Sequence, residues 1–126
     1  MKKEKILVID DDVVFNSITE IMLSDEYDIL IAQSGKEALT LLIKQKPDLI
    51  LLDIMMPEMD GWETFGKIKG ITLLNDVPIA FLTSVSKEEG LEHAKRVGAV
   101  GYFTKPIRIE EIIEGIEKIL AGEILI

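Results

Sequence analysis

Unbroken apolar runs alternate along this chain with stretches in which apolar residues recur every three or four positions. The runs are "KILVID" (5–10), "EYDILIAQS" (26–34), "PDLILLD" (47–53), "VPIAFLTS" (77–84) and the shorter "GYFTK" (101–105). Runs of this length without polar alternation suit strands covered on both faces, as in a parallel sheet. The stretches between them predict helices. After Asp12, a candidate N-cap, Val14, Phe15, Ile18, Ile21 and Met22 fall at helical spacing. Ser34 precedes a helix with Ala38, Leu41 and Leu42 on one face and Pro47 beyond its end. Trp62, Phe65 and Ile68 stripe a third helix, and "KEEGLEHAKRVG" (87–98) reads as a fourth that stops at Gly98. Within it, Gly90 costs roughly 1 kcal/mol relative to Ala, which predicts a weakly held, mobile element. "RIEEIIEGIEKILAG" (108–122) is a fifth, apolar at Ile109, Ile112, Ile113, Ile116 and Leu120. Strands and helices in strict alternation with short connections describe a doubly wound α/β domain.

Composition narrows the class without changing that picture. The 126 residues suit one domain with a sizeable core, and 48% hydrophobic against 29% charged is an ordinary globular balance. No apolar run approaches a membrane span, and the opening "MKKEK" does not read as a secretion signal. Cysteine is absent, so disulfides and thiolate metal sites are excluded and the cytoplasm is the expected compartment. A net charge of −9 argues against direct nucleic-acid binding, which needs clustered Lys and Arg. No repeat, low-complexity tract or interdomain linker interrupts the chain. The closing "EILI" (123–126) is apolar and could be a strand, a docking tail or a cut edge.

Three carboxylates in a row, Asp10, Asp11 and Asp12, end the first strand. At roughly 5 Å and an effective dielectric near 20, each like-charged pair costs on the order of 3 kcal/mol. Solvation in a loop would lower that cost, and a bound cation would reverse it. Asp53 ends the third strand, Thr83 the fourth and Lys105 the fifth. Sites in open parallel sheets form beyond the carboxyl ends of the strands, where strand order reverses. If the first and third strands are neighbours, the acids meet at one edge, joined by a hydroxyl and an ammonium.

The acid pair Asp10-Asp11, "LLDIMMPEMDGWE" around Asp53, "FLTS" around Thr83 and "YFTKPI" around Lys105 resemble the receiver domain of bacterial two-component response regulators. The resemblance covers essentially the whole chain, with the receiver domain at 1–122 and a short apolar tail at 123–126. It implies a five-stranded flavodoxin-like fold of order 2-1-3-4-5, an aspartate phosphorylated by a sensor histidine kinase or phosphotransfer protein, and a conformational switch read by a downstream protein target or an output domain. Carried over by position, Asp53 accepts the phosphoryl group. Asp11, Asp53 and the Met55 carbonyl ligate Mg²⁺, for which Mn²⁺ can substitute, with Asp10 acting largely through water. Thr83 and Lys105 hold the phosphoryl oxygens, and Tyr102 is the rotamer switch that turns inward as Thr83 moves. The chemistry agrees: Mg²⁺ prefers carboxylate and carbonyl oxygens, and a carboxylate can attack phosphorus to give an acyl phosphate. The fourth helix, fifth strand and fifth helix form the signalling face in this family. "GAVGYFTKPI" lacks the paired acids that mark the winged-helix transcription-factor subfamily, which argues against that subfamily's dimer.

Other residues read more plainly. Asp12 is a helix cap. Lys105 before Pro106 fits a cis peptide that would aim the ammonium inward. Pro57 and Gly61 shape the loop after Asp53 while Met56 packs beneath it. His93, the only histidine, falls on a charged helix and reads as solvated; Trp62 reads as partly buried packing. The resemblance also implies that the residues two beyond the phosphorylated aspartate and two beyond the hydroxyl flank the approach of a hydrolytic water. Here these are Met55 and Val85, apolar and unable to hydrogen-bond a water strongly, so a slowly hydrolysing acyl phosphate is expected. Two rival readings compete. Asp10-Asp11-Asp12 superficially resembles the Asp-x-Asp of haloacid-dehalogenase enzymes, with Asp10 as nucleophile, but Val13 and Val14 follow and the chain is short for that fold. A degenerate receiver that binds partners without phosphorylation conflicts with the intact acids, Thr83 and Lys105.

Overall fold

The structure, a computed structural model, describes residues 2–126. The elements run β1 (Lys5–Ile9), α1 (Val13–Leu23), β2 (Asp28–Ala32), α2 (Gly35–Lys44), β3 (Leu49–Leu52), α3 (Gly61–Lys69), a 3₁₀ turn (Thr72–Leu74), β4 (Ile79–Thr83), α4 (Lys87–Val97), β5 (Gly101–Thr104) and α5 (Ile109–Leu120). All strand pairs are parallel, in the order β2-β1-β3-β4-β5. The doubly wound sheet and its order therefore match the sequence reading; the 3₁₀ turn is an addition.

Alternate residues of each central strand feed two separate cores. Leu7 and Ile9 of β1 join Ile50, Leu52, Ile79, Phe81 and Tyr102 under α2, α3 and α4. Ile6 and Val8 join Leu49, Leu51, Ala80, Leu82 and Phe103 under α1 and α5. This is why the strands read as continuous apolar runs: both faces are covered. β2 is the exception, half-buried along most of its length because it is an edge strand.

The caps at Asp12 and Ser34 fall where the sequence places them, and the structure adds Asp60 and Ser86. Asp12, Ser34, Asp60 and Ser86 each accept a backbone N–H three residues on, opening α1, α2, α3 and α4. The fifth helix buries Ile112, Gly115, Ile116 and Ile119, while Ile109, Ile113 and Leu120 are only half-buried. The tail is docked on the domain: after a left-handed turn at Gly122 (φ 96°), the Leu125 N–H donates to the Val100 carbonyl at 2.7 Å. Leu125 and Ile126 then pack against opposite cores.

The buried face of α1 differs from the expected one. Val14, Ile18 and Ile21 are 68%, 50% and 76% exposed, and only Phe15 and Met22 of the predicted stripe touch the core. The face turned inward is Asn16, Thr19 and Leu23. Apolar counting chose the wrong side because the helix starts at the polar rim of the sheet. There Asn16 is needed as a donor: its carboxamide N–H bonds the Asp10 carbonyl at 2.7 Å.

Candidate functional site

The register of the sheet assembles the acids. Ile9 pairs with Leu52, so Asp10 and Asp53, each one residue past its strand, stand side by side at the carboxyl edge. Backbone bonds fix both positions: Asp10 N–H to the Ala32 carbonyl and Asp53 N–H to the Ile9 carbonyl, each 3.0 Å. Strand order reverses between β1 and β3, so this edge is the switch point of the fold. Asp10, Asp11 and Asp53 each bring a carboxylate oxygen within 4.8 Å of the others, with Asp11 exposed and the other two buried.

Lys105 arrives from the end of β5, and the Lys105–Pro106 peptide is cis, as the sequence suggested. Its ammonium lies 2.7 Å from Asp10 Oδ2 and 3.5 Å from Asp53 Oδ2. Burial pushes the Asp10 carboxyl above its usual value; the bonds from Lys105 and the Asp12 N–H oppose the rise, and the charge of Asp53 adds to it. For Lys105, burial works downward, but the bond to Asp10 and the charges of Asp53 and Asp10 outweigh it, and the net shift is upward. Lysine thus stays a cation while one neighbouring acid is held under electrostatic stress.

That stress bears on the cation. Asp53 Oδ1 is buried and has no hydrogen-bond partner among the described residues. An unpartnered buried carboxylate oxygen is costly to leave unmet. With Asp10 and Asp11, Asp53 makes three converging hard oxygen donors, which fit a small divalent cation that takes carboxylates and keeps several waters. The Met55 side chain is 64% exposed and Met56 is buried, consistent with a loop that presents residue 55 outward.

Gly61 shapes this loop for a steric reason. A Cβ there would collide with the Asp53 carbonyl oxygen and lie 2.6 Å from Ile54 Cα. The Gly61 N–H donates to the Ile54 carbonyl at 2.8 Å, so the start of α3 is pressed directly against the backbone of the acceptor residue.

The remaining predicted residues divide into two groups. Thr83 is fully buried, and its hydroxyl oxygen accepts the Val85 N–H at 3.2 Å. Val85 is half-buried against the α2–α4 side core. Tyr102 is 4% exposed, with its hydroxyl donating to the Val85 carbonyl at 2.8 Å; the ring is already inward. His93 is half-buried rather than fully solvated. It stacks on Trp62 with centroids 3.8 Å apart and an interplanar angle of 16°, joining α4 to α3.

Sequence reasoning missed Asn16, whose bond to Asp10 clamps the turn carrying the acids. The available signal was its position four residues after the Asp12 cap, one helical turn above the β1 end. Nor did sequence reasoning find the packing role of Gly90, which is buried against the Tyr102 ring.

With this geometry in place, the comparisons are specific. The sequence matches the response regulator receiver domain family over residues 6–117. It is 38% identical to a 14.6 kDa protein encoded in the sodA1 3' region of Leptolyngbya boryana, over 90% of this chain and 87% of that one. It is 32% identical to sporulation initiation phosphotransferase F of Bacillus subtilis (strain 168), over 95% of this chain and 96% of the relative. The fold superposes on Vibrio cholerae chemotaxis protein CheY4 with a TM-score of 0.86 at 29% identity, covering 92% of this chain and 98% of that one. Longer relatives also match, and the chain spans about half of their length, 49% and 55% for those from Porphyridium aerugineum and Pyropia yezoensis. No helix among the described residues is long and apolar enough to cross a membrane.

Proposed function

This chain belongs to the response regulator receiver domain family, and from that premise we propose that it is a cytoplasmic phosphoacceptor whose acceptor is Asp53. One observation supports the assignment above others. Asp53 is a buried carboxylate at the switch point, with one oxygen unpartnered and the other 3.5 Å from the Lys105 ammonium.

A phosphohistidine on a sensor kinase or phosphotransfer protein is the donor. An Asp53 oxygen forms the new O–P bond as the donor's P–N bond breaks, and the imidazole nitrogen leaves with the electron pair. Burial of Asp53 excludes competing water, and the Lys105 ammonium is close enough to follow the charge from Asp10 onto the phosphoryl oxygens. Asp10, Asp11 and Asp53, with the Met55 carbonyl, would hold Mg²⁺ or Mn²⁺. When bound, the cation neutralises the equatorial oxygens of the transferring group. Thr83 takes the phosphoryl group's remaining contact by donating its hydroxyl proton, and because the same oxygen accepts the Val85 N–H, a shift of Thr83 toward the phosphoryl group is passed to the β4–α4 loop.

The exposed Val14, Ile18 and Ile21 face supports docking of the donor protein, because α1 starts at Asp12 beside the acids. Ile18→Lys should then slow labelling by a phosphorylated histidine kinase able to label the parent, while labelling by acetyl phosphate stays unchanged. Equal loss with both donors defeats the docking role.

Acetyl phosphate with Mg²⁺ should add one acid-stable, base-labile phosphoryl group, absent in Asp53→Asn and in excess chelator. Equal labelling of Asp53→Asn overturns the assignment.

A further inference from the structure

The Lys105 ammonium has a neighbour that the phosphoacceptor chemistry does not call for. It lies 4.0 Å from the centroid of the Phe15 ring. With Asp10 at 2.7 Å and Asp53 at 3.5 Å, the cation is held between carboxylate oxygens and an aromatic face, and its side chain is only 18% exposed. We propose that Phe15 is a positioning residue for phosphoryl transfer, whose ring keeps the Lys105 ammonium beside Asp53 both before and after the phosphoryl group arrives.

The backbone around Phe15 is unusually well tied to the acids. Its N–H is capped by Asp12 Oδ1 at 3.0 Å, its carbonyl accepts the Thr19 hydroxyl at 2.8 Å, and the next residue, Asn16, bonds the Asp10 carbonyl. The ring therefore moves with the turn that carries Asp10 and Asp11, and so keeps its distance from Lys105 as that turn adjusts.

Phenyl and carboxylate hold an ammonium in different ways. Hydrogen bonds to Asp10 are directional and weaken steeply as they bend. Attraction to a ring face is electrostatic and broad, effective within about 6 Å of the centroid. When phosphorylation draws Lys105 away from Asp10, the carboxylate contact is lost but the ring contact survives a displacement of an ångström. Phe15 also fills space that water would otherwise occupy around the ammonium, which strengthens the pull of Lys105 on phosphoryl oxygens. Leucine at this position keeps apolar cover but lacks the ring quadrupole.

The inference rests on Asp53 phosphorylation for its kinetic consequence only, because the contact itself is readable in the unphosphorylated protein. In the parent, the Lys105 ε-methylene protons should show an upfield ring-current shift that disappears in Phe15→Leu and persists in Phe15→Trp. Labelling by acetyl phosphate, a donor with no helix to dock, should slow about five-fold in Phe15→Leu, the scale of a partly desolvated cation–ring contact. Phe15→Trp should stay within about two-fold of the parent, since indole is the stronger partner. A Lys105 signal without ring-current shift in the parent overturns the inference, and so does unchanged labelling in Phe15→Leu. Equal slowing in Phe15→Trp and Phe15→Leu, both folded by circular dichroism, reassigns Phe15 to packing. A parent that takes no label at all counts against the Asp53 reading instead, and the ring-current result stands apart from it.

Discussion

Tyr102 is seated on Gly90. A Cβ at residue 90 would overlap the Tyr102 hydroxyl and stand 2.9 Å from its Cζ and 3.1 Å from Cε2. The ring reaches this seat from β5, and its hydroxyl donates to the Val85 carbonyl at 2.8 Å, with the Ser86 carbonyl at 3.3 Å. Gly90 therefore does more than weaken α4. It provides the space that lets the tyrosine lie inward.

Replacing glycine by alanine within a helix ordinarily stabilises by about 0.5–1 kcal/mol. At Gly90 the opposite sign is expected, a loss of about 1–3 kcal/mol from overpacking. Urea midpoints should fall for Gly90→Ala and recover in Gly90→Ala/Tyr102→Leu, which removes the colliding phenol. A stabilised Gly90→Ala protein contradicts the seat.

An inward Tyr102 leaves the β4–α4 loop as the part free to switch. Beryllofluoride with Mg²⁺ should change hydrogen exchange across residues 84–104, most strongly at 84–90, where the Thr83 hydroxyl oxygen holds the Val85 N–H. Exchange that is identical with and without the phosphoryl mimic argues against any coupling between Asp53 and α4.

Both tyrosines of the chain are buried, and burial is the main reason that each phenol is pushed above its ordinary value. Carboxylates nearby add to the shift: Glu26, Glu117 and Glu4 for Tyr27, Glu89 and Asp53 for Tyr102. With folded values raised, the stability these neutral phenols contribute is complete below the ordinary value near 10 and is lost as pH rises through the folded values. Absorbance of phenolate should thus appear above pH 10 together with unfolding. Tyr102→Phe should remove half of the absorbance change. Ionisation of both phenols below pH 10 in the folded protein refutes the burial argument.

Divalent cation should stabilise the fold, because Asp53 Oδ1 has no partner among the described residues and burial raises the Asp10 carboxyl. Mg²⁺ at about 100 times its dissociation constant adds about 2.7 kcal/mol by mass action. Thermal melts should show the gain in the parent and its loss in Asp11→Asn. A gain of equal size in that variant would place the cation elsewhere.

Acyl-phosphate lifetime tests whether Met55 and Val85 control the approach of a hydrolytic water. Met55 is exposed and apolar, and Val85 packs against the core beside the loop that must move. Met55→Asn with Val85→Glu supplies groups able to orient water, and loss of label should accelerate several-fold, about 1.4 kcal/mol of barrier being tenfold in rate. An unchanged lifetime with Mg²⁺ binding intact rules out a kinetic role for either residue.

The sequence by itself determined the alternation of strand and helix, the strand-end chemistry and the helix starts. Each rests on local physics: apolar runs need two covered faces, and Asp12 and Ser34 cap the backbone that directly follows them. Asp10, Asp53, Thr83 and Lys105 were legible because each ends a strand, and parallel strands deliver their ends to one edge. Tertiary structure decided what depends on partners distant in sequence. Val14, Ile18 and Ile21 have the spacing of a core stripe, yet the rim of the sheet takes Asn16 and Thr19 instead, because the Asp10 carbonyl needs a donor. His93 reads as solvated until α3 brings Trp62 beneath it. Gly90 reads as a helix defect until β5 lays Tyr102 across it. Hydrophobic period reports how much apolar surface a segment must bury; which face meets which neighbour is fixed only when the packed elements compete for the same space.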